Sequence, residues 1–154
     1  MAENTSRYPQ LNMPPCDITI NGEEVWDIVR RRFVALTPEE WVRQHVVSTL
    51  SRHMGYPLEL MQVEGSISLN GLSRRCDVVV YGRDARPRMI VECKQPAVQL
   101  TQQVIDQACR YNTVLQVPYL YLTNGMQHLV LKVDVLHQCL QRVEKMPSWD
   151  ELKL

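Results

Sequence analysis

The sequence lacks any apolar run long enough to cross a membrane, and its opening decapeptide, MAENTSRYPQ, has no signal-peptide core. A membrane partner is therefore not expected, and a cytoplasmic location is. Paired metal or redox motifs are missing too. Cys16, Cys76, Cys93, Cys109 and Cys139 are odd in number and scattered, without a CxxC pair. That pattern reads as reduced thiols and not as a disulfide framework. The four histidines have no ligand spacing, which argues against a structural zinc. Net charge is zero, so attraction to a polyanion has to come from local clusters. Repeats and low-complexity tracts are absent. What remains is 154 residues, 45% hydrophobic and 22% charged, enough for one domain with an ordinary globular balance.

The most informative stretch is RCDVVVYGRDARPRMIVECK, Arg75 to Lys94. Two β-rich runs, Asp77 to Tyr81 and Met89 to Cys93, flank a polar loop with Gly82, Asp84 and Pro87, which predicts neighbouring antiparallel strands. Each run carries a carboxylate where a core residue is expected, Asp77 in the first and Glu92 in the second. Side chains alternate along a strand, so Glu92 and Lys94 share a face and Cys93 points away. If the strands pair, Asp77 approaches Glu92, and two close carboxylates repel unless a cation neutralises them. A hard divalent ion such as Mg2+ takes oxygen ligands of this kind. The competing reading is a buried ion pair of either acid with Lys94.

Around this stretch the chain reads as alternating elements. Residues 1–16 are polar and proline-bearing, a loose arm ahead of one domain over 17–154. Asp17 to Val34 reads as a hairpin about Asn21-Gly22. Thr37-Pro38-Glu39-Glu40 starts a helix, with Thr37 as N-cap and Glu40 placed for a capping box, and Gly55 ends it. Asn70-Gly71 and Asn124-Gly125 are turn dipeptides between strands. Leu100 to Tyr111 has helical spacing, with Gln103, Gln107 and Tyr111 along one stripe. Asp134 to Lys145 is expected to be helical, with Val135, Leu136, Leu140 and Val143 spaced to pack, and Trp149 to dock the tail. Basic clusters occur at Arg30-Arg31-Arg32, at Arg74-Arg75, and at Arg83, Arg86 and Arg88. For the last group, solvated loop charge and phosphate contact are both open readings.

The order Asp77, Glu92-Cys93-Lys94, Gln107-x-x-x-Tyr111 resembles the PD-(D/E)xK nuclease superfamily, in its branch with a QxxxY element. The proline usual before the Asp is replaced by Cys76. The sequence resembles the N-terminal nuclease domain of type I restriction enzyme R subunits, over a core of about 36–133. Shared features include ECKxP at Glu92 to Pro96, DQxxRYN at Asp106 to Asn112 and LTNG at Leu122 to Gly125. The resemblance implies an α/β restriction-endonuclease-like core, a mixed central sheet flanked by helices, here with an N-terminal β-hairpin.

It further implies a Mg2+-dependent DNA endonuclease, Mn2+ being the alternative ion. Asp77, Glu92 and the Cys93 backbone carbonyl hold the ion, Lys94 serves the attacking water or the transition state, and Gln107 and Tyr111 orient the site or touch DNA. Members often add an acidic or amide residue from the first helix, which makes Glu40 and Gln44 accessory candidates; capping competes for Glu40, and Gln44 can equally be an ordinary helical glutamine. Glu64 is a third candidate, with a plain surface acid as its other reading. Arg75, Arg83, Arg86 and Arg88 are the expected DNA contacts. No P-loop pattern is present, so the ATP-driven motor of those subunits is not expected here, and a separate motor or specificity protein is the expected partner besides DNA. The alternative is a weak or inactive nuclease-fold module that binds DNA or a partner protein.

Overall fold

The computed structural model describes residues 7–134 and 139–152. The chain begins with a small antiparallel sheet, β1 (Ile20–Asn21), β2 (Glu24–Asp27) and β3 (Arg32–Ala35). Gly22 supplies the positive φ of its first turn. This is the expected hairpin with a third strand added.

Helix α1 (Pro38–Ser48) follows, capped as its sequence predicts: Thr37 Oγ1 accepts from the Glu40 backbone N–H at 3.0 Å. Then come β4 (Met61–Leu69), β5 (Leu72–Tyr81) and β6 (Pro87–Cys93). The turn between β4 and β5 puts both Asn70 and Gly71 at positive φ, the requirement of a type I′ turn. Helix α2 (Gln102–Leu115) leads into β7 (Tyr119–Thr123), β8 (His128–Asp134) and β9 (Cys139–Val143), and a short α3 (Trp149–Leu152) closes the chain.

Strands β4 to β9 form one sheet in chain order. It is mixed: β6 and β7 are parallel, with α2 as their crossover, and the other pairs are antiparallel. Alternation sends side chains to two cores. On one face Trp41, Val42, Val46 and Val47 of α1 pack with Val78, Val80, Met89, Val91 and Cys93. On the other, Ala108 and Leu115 of α2 pack with Val79, Ile90, Leu120 and Leu131. Met89 to Cys93 is buried throughout, as a strand covered on both faces must be. The fold is thus the expected α/β arrangement of a mixed sheet flanked by helices.

Two expectations are corrected. The helix predicted from Asp134 is instead β9 from Cys139, with 135–138 outside the described residues. Leu140 joins one core and Val143 the other; residues three apart share a helix face but lie on opposite faces of a strand. Pairing along β8 outweighs local propensity here. The arm ahead of Asp17 is also packed where it is described. Tyr8 stacks on Trp41 at 5.7 Å, Trp41 Nε1 donates to the Pro9 carbonyl, and Leu11 is buried in the first core. Leu11 leans on the β7–β8 turn, where a side chain at Gly125 would come within 2.7 Å of it. Trp149 docks as expected, its ring 5.8 Å from that of Tyr56. No helix among the described residues is long and apolar enough to cross a membrane.

Candidate active site

The β5–β6 ladder pairs Val80 with Met89, Val79 with Ile90 and Val78 with Val91. One step further the register sets Asp77 opposite Glu92, and there the ladder stops. The Cys93 N–H donates instead to Asp77 Oδ2 at 2.7 Å. The β4–β5 ladder breaks at the same level: Val63 pairs with Val78 and Gly65 with Cys76, while Glu64 between them is left-handed, φ 55°. Cys76 sits in the second core and Val78 in the first, so β5 turns over across Asp77. A strand that changes faces there presents its carboxylate at the opening between β5 and β6, where regular alternation would have committed it to one core.

Glu92 is buried, 7% exposed. Burial is the main force raising its carboxyl, to about 7, with Asp77 and Glu39 also pushing it up and Arg74 and Lys94 pulling it down. Arg74 Nη2 lies 3.0 Å from Glu92 Oε1, as an ion pair without hydrogen-bond alignment, so Oε1 is buried with no donor. The same guanidinium lies over the Tyr111 ring, 4.1 Å from its centre. Lys94 stands just past β6, its backbone N–H held by the Thr123 carbonyl at 2.8 Å. Arg74, Glu92, Lys94 and Gln107 line a cavity of about 70 Å3. The structure therefore brings together Asp77, Glu92, Lys94, Gln107 and, through Arg74, Tyr111. A residue's N–H and C=O point to the same side of a strand, so the Cys93 carbonyl faces Asp77 as well. The competing ion pair with Lys94 is not formed; Arg74 pairs with Glu92 in its place.

Helix α1 contributes Glu39, which sequence reasoning passed over in favour of its neighbour. Glu39 comes close to Asp77, and its carboxyl is raised by burial and by its interaction with Asp77, against the pull of Arg43 and Lys94. Glu40 turns the other way, to Arg30 and Arg43. Gln44 is buried beside Trp26 and Ser48, lining a different cavity. Glu64 is held by Arg30, Arg43 and Arg75 at 3.1, 3.3 and 2.8 Å. The stripe at the site is Glu39 and Arg43, one turn apart and 3.8 Å from each other. The usable signal was phase: Trp41, Val42 and Val46 fix which side of α1 meets the sheet.

The loop arginines are not brought to this cluster. Arg83 is six residues beyond Asp77, about 20 Å along an extended strand, and pairs with Glu59. Arg86 and Arg88 pair with Asp84. Arg75 stays near, on Glu64.

Among the described residues no three acidic, histidine or cysteine side chains already stand at coordinating spacing. The donor chemistry nonetheless fits a hard cation: all oxygens, two carboxyls raised by burial and by the Asp77 charge, and a buried Glu92 oxygen without a donor.

The chain matches known proteins over most of its length. The chain belongs to the family of the type I restriction enzyme R protein N terminus (HSDR_N), whose profile matches residues 38–147. It is similar to the structure of a fragment assigned to an HsdR subunit of a type I restriction enzyme from Vibrio vulnificus YJ016. Identity is 24%, coverage 76% of this chain and 24% of that one, and the TM-score 0.52. A protein from Anabaena variabilis, assigned as a nuclease of the DUF820 family, is 10% identical, with 88% and 92% of the two chains covered and a TM-score of 0.49. At these identities the likeness to solved structures is one of fold. The chain spans about a quarter of the length of the Vibrio chain. No curated protein matches it.

Proposed function

We propose that the chain is a metal-dependent endodeoxyribonuclease that hydrolyses phosphodiester bonds in DNA, working with a separate motor or specificity protein. The observation that carries this is the meeting of Asp77 and Glu92 where the β5–β6 ladder stops, with Lys94 and Gln107 on one small cavity beside them. Bound Mg2+, or Mn2+, supplies positive charge to the phosphate and lowers the pKa of water. Asp77, Glu92 and the Cys93 carbonyl are the residues that would hold it, with Glu39 the accessory carboxylate. Lys94 reaches the cavity with a cation that stabilises developing phosphate charge or orients the nucleophile. Gln107, an amide on a rigid helix, orients a water or a phosphate oxygen. Tyr111 fixes Arg74 by its ring face.

Arg75 is the nearest exposed arginine and the first candidate for backbone contact; Arg83, Arg86 and Arg88 would serve only a duplex that extends along β5. With zero net charge, binding is expected to be weak, sequence-independent and lost as salt rises. Incubation with supercoiled plasmid and Mg2+ tests the reading. Nicking that a chelator and Asp77→Asn each abolish is the expected result, and no nicking with either Mg2+ or Mn2+ would sink it. The second reading, a module that binds without cutting, is favoured by one observation: Arg74 already pairs with Glu92.

A further inference from the structure

We infer that Arg74 competes with a divalent cation for Glu92 and, when displaced, takes a DNA phosphate at the same site. The inference rests on the metal-site reading above.

Three observations meet in this side chain. It ion-pairs with a buried carboxylate through Nη2 at 3.0 Å, yet leaves that oxygen without an aligned donor. Its guanidinium lies over the Tyr111 ring, and Tyr111 is itself 38% exposed. The ring gives the guanidinium a resting surface that does not depend on Glu92. Arg74 also shares the 70 Å3 cavity with Lys94 and Gln107, so its charge is already at the mouth of the site. Arg43 makes a useful contrast: it is bound to Glu40 and Glu64 as well as Glu39 and has several anchors to lose.

The consequence is electrostatic. A cation on Glu92 repels an incoming divalent ion, and the divalent ion repels Arg74 in turn. Once Glu92 is neutralised otherwise, the guanidinium keeps its ring contact and presents N–H donors in the fork geometry that suits a phosphate. Arg74 would then contact DNA only when metal is bound, which couples the two ligands.

The test compares the whole chain with Arg74→Gln and Arg74→Lys, using melting in chelator to confirm folding. Mg2+ affinity is measured by calorimetry at pH 8.5, where Glu92 is ionised. Arg74→Gln should bind Mg2+ roughly 10-fold more tightly than the parent, because a nearby unit charge has been removed, with Arg74→Lys between. Binding of a labelled duplex is then followed against salt, in chelator and in Ca2+. In Ca2+ the salt slope of Arg74→Gln should fall below the parent's by about 1, the loss of one phosphate contact, and in chelator the two slopes should agree.

Mg2+ affinity unchanged or weakened in both variants would overturn the competition and leave Arg74 as a prop for Glu92. Slopes that differ equally in chelator and Ca2+ would overturn the metal-gated phosphate contact. A parent that binds no divalent ion refutes the metal site itself. Tighter Mg2+ in the variants with no nicking by the parent keeps the competition and refutes the nuclease reading.

Discussion

Glu39 and Glu40 are adjacent on α1 and open into two acid–base clusters whose charges are matched differently. On the Glu40 side, Asp27, Glu40 and Glu64 meet Arg30, Arg43 and Arg75. Arg30 touches all three acids, and Arg43 touches two of them. On the Glu39 side, Glu39, Asp77 and Glu92 face Arg74 at 3.0 Å from Glu92, Arg43 at 3.8 Å from Glu39, and Lys94 at longer range. The carboxyls differ with burial as well as with pairing: Glu40, buried between Arg30 and Arg43, is raised by burial against their pull. Burial pushes Glu64 up, but Arg43, Arg30 and Arg75 outweigh it and bring it below the ordinary range. Burial pushes Glu92 up with too little cation to resist, to about 7. Matched charge ties β2, α1 and β4 together; under-matched charge is the state a further cation would relieve. The family match begins at Pro38, so it includes the whole under-matched cluster and leaves out Asp27 and Arg30.

The largest effect should come from breaking the matched cluster. Arg30→Met leaves Asp27, fully buried, and Glu40, 4% exposed, without their shared cation. Stranding buried carboxylates this way typically costs about 3–5 kcal/mol. A denaturant melt should show that loss, while the Mg2+-induced rise in melting temperature persists in whatever protein folds. A loss below about 1 kcal/mol, the range of surface ion pairs, would mean that the cluster is loosely solvated.

The under-matched cluster should show itself in pH. Glu92 keeps its proton more tightly folded than unfolded, so its contribution to stability is present below the unfolded value near 4.5 and fades as pH rises through about 7. The loss across that window is at most about 3 kcal/mol at ~1.4 kcal/mol per unit. Melting between pH 5 and 8 should fall more steeply for the parent than for Glu92→Gln. Saturating Mg2+ at pH 8 should restore much of the difference by binding the ionised folded form. Parallel curves for parent and variant would place the repulsion elsewhere.

Much of this was legible before any coordinates, for reasons that differ by element. Strands β5 and β6, the turns at Asn70-Gly71 and Asn124-Gly125, and the cap at Thr37 are set by neighbours in sequence, and local rules read them directly. The approach of Asp77 to Glu92 followed from strand pairing. The errors are non-local. β9 depends on β8 offering an edge, and the packing of residues 8–13 depends on a turn more than a hundred positions later. The choice of Glu40 over Glu39 was an error of helix phase: a capping box marks where a helix starts, whereas the apolar positions fix which flank faces the sheet. Arg74 stood in plain view as part of a basic cluster, but its pairing with Glu92 depends on β5 turning over at Asp77, which regular alternation does not predict.

Lys94 sharpens the comparison because it makes none of the close ion pairs that hold the matched cluster. Lys94→Ala should leave melting and Mg2+ binding near the parent's. It should slow nicking by ~10²-fold or more, about 2.7 kcal/mol in barrier. A variant that melts several degrees lower and still nicks at the parent rate would assign the lysine to the fold and not to the chemistry.

The smallest change is the most discriminating, because it exchanges one neighbour for the other. Glu39 is half exposed at its side chain and raised by burial and by Asp77. Gln in its place removes a like charge and can still donate to Asp77. Glu39→Gln should therefore leave stability within about 0.5 kcal/mol of the parent, as for ordinary surface changes, and weaken Mg2+ binding several-fold as one oxygen ligand loses its charge. Glu40→Gln should do the reverse. It strips a carboxylate from between Arg30 and Arg43 and destabilises the fold, while Mg2+ affinity holds. Paired melts and Mg2+ titrations of the two variants give four numbers. If both substitutions lower stability and spare Mg2+ binding, α1 supplies no residue to the metal, and the division between the clusters lies along β5 instead.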